Sequence, residues 1–422
     1  MNHVREDVPS TPKRRVLIAA LTLAVLLGAA TVLGAMIITR TTYLNPALVA
    51  ERLIDCIGAD GAVATLPVSR TPPNVRVAEV IEGFQSPMTV LATPTEQLLV
   101  VERRGVISSQ DLKSGTRTVI LDLSSTIDSS VEGGLLGAAL HPAFGTGGES
   151  RIFIVFTRLP DRALVVGQME LGTDLVADAG SLRVMQMIPR ENGWHAAGGA
   201  AFLPDGRLLV GVGDDFKPNE SQSGASLLGK ILAFDVDDPA VGGAIYASGL
   251  RNPLRFTVDP ESGTLWVADV GEFCIEEINR VPLADAEGSN FGWPLFEGSR
   301  MWPRYVSSDF GYGDGASEQE TPNSVVFVEP VTTYLHKKGG ACAVIGGAVV
   351  EGWYLFADYC DGIVRGIPTD AEAGTQAVAL LKLNKEGLKV GVIGVMKDSQ
   401  QRTWVLDGWG GSLIRLEITP SP

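Results

Sequence analysis

Histidine and cysteine are both scarce in this 422-residue chain, four of each. Cations are thinly spread as well: 34 Lys and Arg against 49 Asp and Glu leave a formal net charge of −15. Phosphate recognition needs clustered Lys and Arg, so this balance argues against a nucleic-acid partner. An acidic surface mainly confers solubility and fits a small neutral substrate. No two cysteines are spaced as Cys-x-x-Cys, which leaves little support for a zinc site or a redox motif. Beyond residue 40 no long stretch keeps a clean 3.6-residue apolar period, so helices should be few and short.

What is present is a core-forming composition, 45% hydrophobic and only 20% charged, with 49 Gly and 24 Pro scattered between short apolar runs. That texture predicts many tight turns between short strands. The one long hydrophobic run is Val16 to Thr39, 24 residues without a charge, preceded by Lys13, Arg14 and Arg15 and closed by Arg40. About 20 residues cross a bilayer core as a helix. The preceding cations keep residues 1–15 cytoplasmic and send everything after the span outside. The expected organisation is a cytoplasmic tail (1–15), a transmembrane anchor (16–39), a linker or stalk (40–75) and a folded domain (76–418). The expected localisation is a single-pass protein of the cell membrane with its C-terminal domain extracytoplasmic. The rival is a cleaved signal peptide, with Ala29, Ala30 and Ala35 near a possible cut and a secreted or periplasmic product.

Cys56, Cys274, Cys342 and Cys360 all fall on the predicted outer side, where an even count reads as disulfides. Cys342–Cys360 is the preferred pair, leaving Cys56–Cys274; four buried thiols are the alternative. Strand-length runs recur at Gln97–Glu102, Arg151–Thr157, Arg207–Val212, Lys230–Val236, Thr264–Ala268, Ala348–Val350, Trp353–Ala357 and Thr403–Leu406. A strand, turn, strand unit repeats at Phe202–Gly211 and Val258–Val267, and more weakly at Leu91–Val100 and Lys397–Val405. Such a unit recurring along a chain of this length predicts a β-propeller; the absence of repeated units of ~100 residues counts against an array of sandwiches.

Six segments then carry a resemblance: Gly133-Gly134-Leu135-Leu136-Gly137-Ala138-Ala139-Leu140-His141-Pro142, Leu228-Gly229-Lys230-Ile231-Leu232, Gly249-Leu250-Arg251-Asn252-Pro253, Asp269-Val270-Gly271 with Glu276-Glu277-Ile278-Asn279, Asn290-Phe291-Gly292-Trp293-Pro294, and Phe356-Ala357-Asp358-Tyr359-Cys360. In this order they resemble the glucose/sorbosone dehydrogenase family, which also takes in soluble aldose dehydrogenases and the propeller of hedgehog-interacting proteins. The resemblance covers about residues 80–417 and implies an all-β, six-bladed β-propeller, here preceded by the single N-terminal transmembrane helix.

Of the four histidines, His3 precedes the anchor, while His141 and His336 read as blade-edge or turn residues. His195 lies just before the apolar strand that begins at Ala200, a strand entrance that in a propeller often faces the central channel. An imidazole, with an ordinary pKa of about 6.5, accepts a proton near neutrality; the resemblance implies that His195 is the general base. A base needs an orienting acceptor on its other nitrogen, and Asp214, 19 residues on (214 − 195), stands where the family has an Asp. The resemblance also implies that Arg251 and Asn252 contact pyrroloquinoline quinone, a tricarboxylate that a guanidinium pairs well. It further implies a calcium ion held by the loop at Gly271 and Glu272, with Glu277 resembling a ligand of a second calcium; Asp269, Glu272, Glu276 and Glu277 make that loop acidic.

The sequence departs from the family at other cofactor cations. A late-blade Lys is replaced by Cys360, and the segment expected to carry an Arg pair reads Gly391-Val392-Ile393-Gly394-Val395-Met396; Lys337 or Lys338 could assist Arg251. The expectation is therefore a quinone-dependent sugar or alcohol dehydrogenase passing electrons to an acceptor of unspecified kind. The rivals are a non-catalytic propeller that binds a glycan or protein, and a calcium-dependent lactonase.

Overall fold

The computed structural model describes residues 66–421 apart from 95–96, 173–174, 273, 302–325, 337–339, 385–389 and 399. The predicted anchor, Cys56, Lys337 and Lys338 lie outside the described residues. Among the described residues no helix is long and apolar enough to cross a membrane.

Six four-stranded antiparallel sheets form the blades. Blade 1 holds Pro87–Ala92, Gln97–Glu102, Val106–Asp111 and Arg117–Asp122, and blade 2 holds Leu135–Leu140, Arg151–Thr157, Leu164–Glu170 and Arg183–Ile188. Blade 3 holds Ala200–Phe202, Leu208–Val212, Lys230–Phe234 and Ala244–Ala247; blade 4 holds Arg255–Asp259, Thr264–Asp269, Ile275–Pro282 and, after a long insertion, Thr332–Leu335. Blade 5 holds Val344–Val350, Trp353–Asp358, Ile363–Pro368 and Val378–Lys382. Blade 6 takes Val392–Lys397, Thr403–Asp407 and Ser412–Thr419 from the end of the chain and its outermost strand, Asn74–Ile81, from the beginning. That outer strand pairs Asn74 with Thr419 through to Ile81 with Leu413, so the ring is closed by its own two ends. The chain is already tied to the ring at Leu66, whose N–H donates to Gly374 O.

Each strand alternates its side chains between two faces, so both faces of a blade can be apolar and pack on neighbours. The described core divides accordingly: one apolar cluster fills each of the six seams between adjacent blades. Between blades 4 and 5, for example, Trp266 stacks on Tyr354 with ring centroids 4.4 Å apart. Each fully buried aliphatic or aromatic side chain in such a seam stabilises by roughly 1.5–3 kcal/mol, and no blade can gain this without its neighbours.

Antiparallel pairing sends the innermost strand of each blade away from one face of the ring and the second strand back to it. The connections between blades and the loops joining second to third strands therefore share that face, the site face. The insertion of blade 4 starts on the opposite face, where Leu283 N–H donates to Gly263 O, and climbs along blade 3 until Trp293 N–H donates to Gly249 O. Beneath the site face, Arg255 of the blade 4 inner strand crosses the channel and donates to Leu136 O of blade 2 and Met88 O of blade 1. Its burial pulls the guanidinium down to about 10. The crossing ties the inner strands of blades 1, 2 and 4 together.

Candidate active site

His195 sits in the connection from blade 2 to blade 3, and Asp214 in the loop after the second strand of blade 3. The structure brings the two together: His195 Nδ1 lies 2.5 Å from Asp214 Oδ1, and both side chains are buried. Asp214 Oδ1 also accepts the Phe216 N–H at 2.9 Å, and Oδ2 accepts the Trp293 indole N–H at 2.9 Å. Burial pushes the Asp214 carboxyl upward, but the His195 imidazole, Arg251 and the Trp293 indole outweigh it and hold the group below the usual carboxylate range. A carboxylate on Nδ1 fixes that nitrogen as the protonated one. Nε2, which makes no hydrogen bond among the described residues, is left as the basic nitrogen.

The backbone here is held in an unfavourable region. Ten described non-glycine residues have a positive φ, and four of them are His195, Ala197, Asp215 and Phe216 in these two loops. Such conformations cost of order 1–3 kcal/mol and persist only where surroundings over-determine them. The restraints are visible: His195 N–H donates to Glu132 Oε2, Ala197 N–H to Asn252 Oδ1, and the N–H groups of Glu191, Asn192 and Gly193 converge on the buried Asp215 carboxylate. Gly213 lets the loops approach, since a Cβ there would lie 1.9 Å from His195 O. Phe216 lies against the imidazole with ring centroids 4.2 Å apart.

Arg251 and Asn252 occupy the next connection, between blades 3 and 4. Their backbone N–H groups donate to the two oxygens of Asp269 at 2.8 and 2.7 Å, and Arg251 O accepts the Asp214 N–H. The Arg251 guanidinium donates through Nη1 to Val270 O and lies over the Trp293 ring, 5.7 Å from its centroid. Its other donors, and the amide N–H groups of Asn252, meet no acceptor among the described residues. A buried cation with donors to spare beside the His195–Asp214 pair suits an anionic or carbonyl-bearing ligand.

The predicted calcium loop is built differently from a ready cage. Glu277 accepts Asn279 Nδ2 at 2.7 Å and Gly298 N–H at 2.8 Å, while Glu272 and Cys274 donate their backbone N–H groups to Glu297 Oε1. Burial raises the carboxyls of both Asp269 and Glu277, with the Asp214 charge adding to it at Asp269 and the Asp269 charge adding to it at Glu277. These buried oxygens suit a hard cation in kind, yet side-chain ligand atoms of Gly271's neighbours do not gather: the one described group of three His, Cys, Asp or Glu atoms within 4.8 Å is Cys342, Asp358 and Cys360. Two of those are spent in the Cys342–Cys360 disulfide, whose Cα atoms are 5.6 Å apart. Cys274 is disulfide-bonded as well, and its predicted partner Cys56 lies outside the described residues.

His336 stands in a turn at the edge of a blade, as the sequence suggests, and it makes a contact that the sequence did not signal. It follows the outer strand of blade 4, but its ring is nearly buried, with Nε2 against Glu276 Oε1. Glu276 Oε2 accepts the N–H groups of Gly271 and Val344. Burial lowers the His336 pKa, but the Glu276 carboxylate more than offsets it and the net shift is upward; Arg251 is close enough to oppose that shift. Trp293 is the other residue that sequence reasoning passed over. The motif around it was visible, but nothing local signals an indole aimed at a carboxylate 79 positions away.

The family profile for glucose/sorbosone dehydrogenases matches residues 84–343. Aldose sugar dehydrogenase YliI of Escherichia coli is 29% identical over 179 residues, 39% of this chain and 47% of that protein. HIPL1 protein of Arabidopsis thaliana is 29% identical over 226 residues, 43% of this chain and 31% of that protein. The alignments thus span less than half of either relative. Among solved structures, the PQQ-bound aldose sugar dehydrogenase of Streptomyces coelicolor superposes with a TM-score of 0.65 at 25% identity, covering 82% of this chain and all of that one.

Proposed function

Because the chain belongs to the glucose/sorbosone dehydrogenase family, we propose that it is an extracytoplasmic, membrane-anchored oxidoreductase that oxidises the anomeric hydroxyl of an aldose or a related alcohol, with pyrroloquinoline quinone as cofactor. The observation that carries this reading is the buried His195–Asp214 pair set beside the guanidinium of Arg251.

Asp214 keeps the Nδ1 proton on His195, and Nε2 takes the hydroxyl proton of the sugar. As that O–H bond breaks, the anomeric C–H electrons leave as hydride and the carbon becomes a carbonyl. Pyrroloquinoline quinone, when bound, supplies the two-electron acceptor for that hydride. Arg251 and Asn252 are the residues that would hold its oxygens, with donors already oriented and buried. Calcium, if held, would take backbone oxygens at Gly271 and Glu272, with Glu277 at a second position once released from Asn279 and the Gly298 N–H. Electrons would leave to an acceptor at the membrane; the run Val16 to Thr39 supplies the anchor, and the disulfides suit an oxidising compartment.

The second reading, a non-catalytic propeller that binds a glycan or a protein partner, is favoured by one feature. The late-blade cation position is a disulfide sulfur at Cys360, and the Gly391 to Met396 segment carries no charge. The deciding experiment is His195→Asn in the full chain supplied with quinone, calcium and a dye acceptor. The dehydrogenase reading expects loss of sugar oxidation, and full activity in that variant would refute it.

A further inference from the structure

Asp214 shares its loop with a residue that holds one of its hydrogen-bond donors in place. Blade 3 joins its second and third strands through residues 213–229. These carry Asp214 and, eight positions on (222 − 214), Gln222 at the end of the short 3₁₀ turn Pro218–Gln222. The Gln222 amide reaches across to the insertion of blade 4. Its Nε2 donates to Trp293 O at 2.6 Å and to Asn290 Oδ1 at 3.0 Å, and its Oε1 accepts from Asn290 Nδ2 at 2.7 Å. Asn290 Oδ1 also accepts the Gly292 N–H at 2.9 Å. Trp293 sends its indole N–H back to Asp214 Oδ2 at 2.9 Å. The contacts close a circuit that runs from Asp214 through the turn to Gln222, on to Trp293 and back to Asp214.

The circuit is held firmly on the Gln222 side. The Lys217 N–H donates to Asp214 O and the Glu220 N–H to Lys217 O, so the turn is wound directly onto the Asp214 backbone. Lys230, 1% exposed, clamps the turn, with Nζ donating to Glu220 O, Ser221 O and Leu228 O at 2.6, 2.9 and 2.8 Å. An ammonium has three N–H donors, and three carbonyls of this one loop receive them. Ser221 Oγ donates to Leu250 O and the Gly249 N–H to Ser221 O, which fastens the turn to the connection that carries Arg251. Gly249 has a φ of +72°, and a Cβ there would fall 2.1 Å from Asn290 Oδ1, so the Gln222–Asn290 amide pair is seated against that backbone. The insertion itself is joined to blade 3 at Gly249 O by the Trp293 N–H. Gln222 adds the contact that sets Trp293 against the loop of Asp214. A hydrogen bond weakens steeply as its angle closes, so an indole aimed at one carboxylate oxygen needs such a stop.

We infer that Gln222 is a positioning residue for the His195–Asp214 pair: its amide ties the Trp293 turn to the Asp214 loop and aims the indole at Asp214 Oδ2, which keeps Oδ1 on His195. The inference rests on the dehydrogenase reading above and adds a residue that acts through Trp293 alone.

The test has one arm on the resting protein and one on turnover, so the two readings fail separately. In the full chain with nitrogen-15 tryptophan and no quinone, the Trp293 indole N–H, identified by its loss in Trp293→Phe, should lie downfield and exchange slowly. Gln222→Leu should move it upfield and speed its exchange about tenfold or more, with the other indole signals in place. Gln222→Glu should do the same at neutral pH, because its second oxygen then faces the Trp293 carbonyl, and should recover on acidification, when a neutral carboxyl donates again. Asp214, held below the usual carboxylate range, stays ionised there. In the quinone-loaded full chain, Gln222→Leu should lower kcat about fivefold, a small part of the ~10²–10⁴-fold that a general base supplies, with KM within about twofold. In a Trp293→Phe background the same change should alter kcat by less than about twofold, since the effect passes through the indole. An indole signal that moves as described, with no sugar oxidised by the wild type, supports the tie and rejects the dehydrogenase. An indole signal unmoved in both variants, a kcat untouched by Gln222→Leu in an active enzyme, or a fivefold loss that persists in Trp293→Phe overturns the inference.

Discussion

Replacing Asp214 by Asn removes one charge and turns one acceptor into a donor at a site where three donors converge. If the Asn oxygen takes the place of Oδ1, it still accepts from His195 and Phe216, but its NH2 group then faces the Trp293 N–H. If the oxygen takes the place of Oδ2 instead, the NH2 group faces the Phe216 N–H and can satisfy His195 only by forcing the proton onto Nε2. The first arrangement loses a charge-assisted hydrogen bond of ~1.5–3 kcal/mol and opposes two donors in a buried space. The second removes the base outright. General base catalysis contributes ~10²–10⁴-fold, so kcat for sugar oxidation by the quinone-loaded full chain should fall at least ~100-fold, about 2.7 kcal/mol, with KM changed little. Nitrogen-15 NMR of the resting protein should show His195 protonated on Nδ1 in the wild type and the population moved to Nε2 in the variant. Trp293→Phe keeps the carboxylate and loses one donor, so its fall should be smaller and its tautomer unchanged. A variant Asp214→Asn within threefold of wild type, with the tautomer unmoved, would refute the assignment of Asp214 as the orienting group.

The Cys342–Cys360 disulfide closes a loop of sequence separation 18; chain-entropy arguments give it about 3 kcal/mol. The variant Cys342→Ser/Cys360→Ser should lower the urea midpoint accordingly while the far-ultraviolet spectrum stays that of a β-propeller. For the buried His336–Glu276 pair the folded pKa of His336 lies above its ordinary 6.5. The stability it contributes is fully present below about 6.5 and is lost as pH rises through the folded value. Breaking a buried pair costs ~3–5 kcal/mol, so His336→Gln should be clearly less stable than wild type at pH 6, and the gap should narrow as pH rises through the folded pKa of His336; a gap that does not change with pH would contradict the pairing.

Much of the fold was legible because blades are local objects. The Asp-Gly turn after Phe202 and the turn after Val258 are the first hairpins of blades 3 and 4, and Gln97–Glu102 and Arg151–Thr157 are strands with those same bounds. Local periodicity reports such units directly. His195 and Asp214 were legible because the hairpin between them returns the chain to the face it left. What stayed hidden depends on contacts distant in sequence. Trp293 arrives on an insertion with no apolar period, and His336 meets a carboxylate 60 positions earlier. The acidic loop at 269–277 read as a set of ligands, but the fold spends part of it on backbone N–H groups and on His336.

The central claim is that a cofactor site survives although the family's later cations are gone, and calorimetric titration of the full chain with pyrroloquinoline quinone, with and without calcium, tests it most directly. The account predicts micromolar or tighter binding that strengthens with calcium and weakens at least tenfold in Arg251→Gln. No binding under either condition, with the protein folded, would contradict it and turn attention to partners of the propeller mouth.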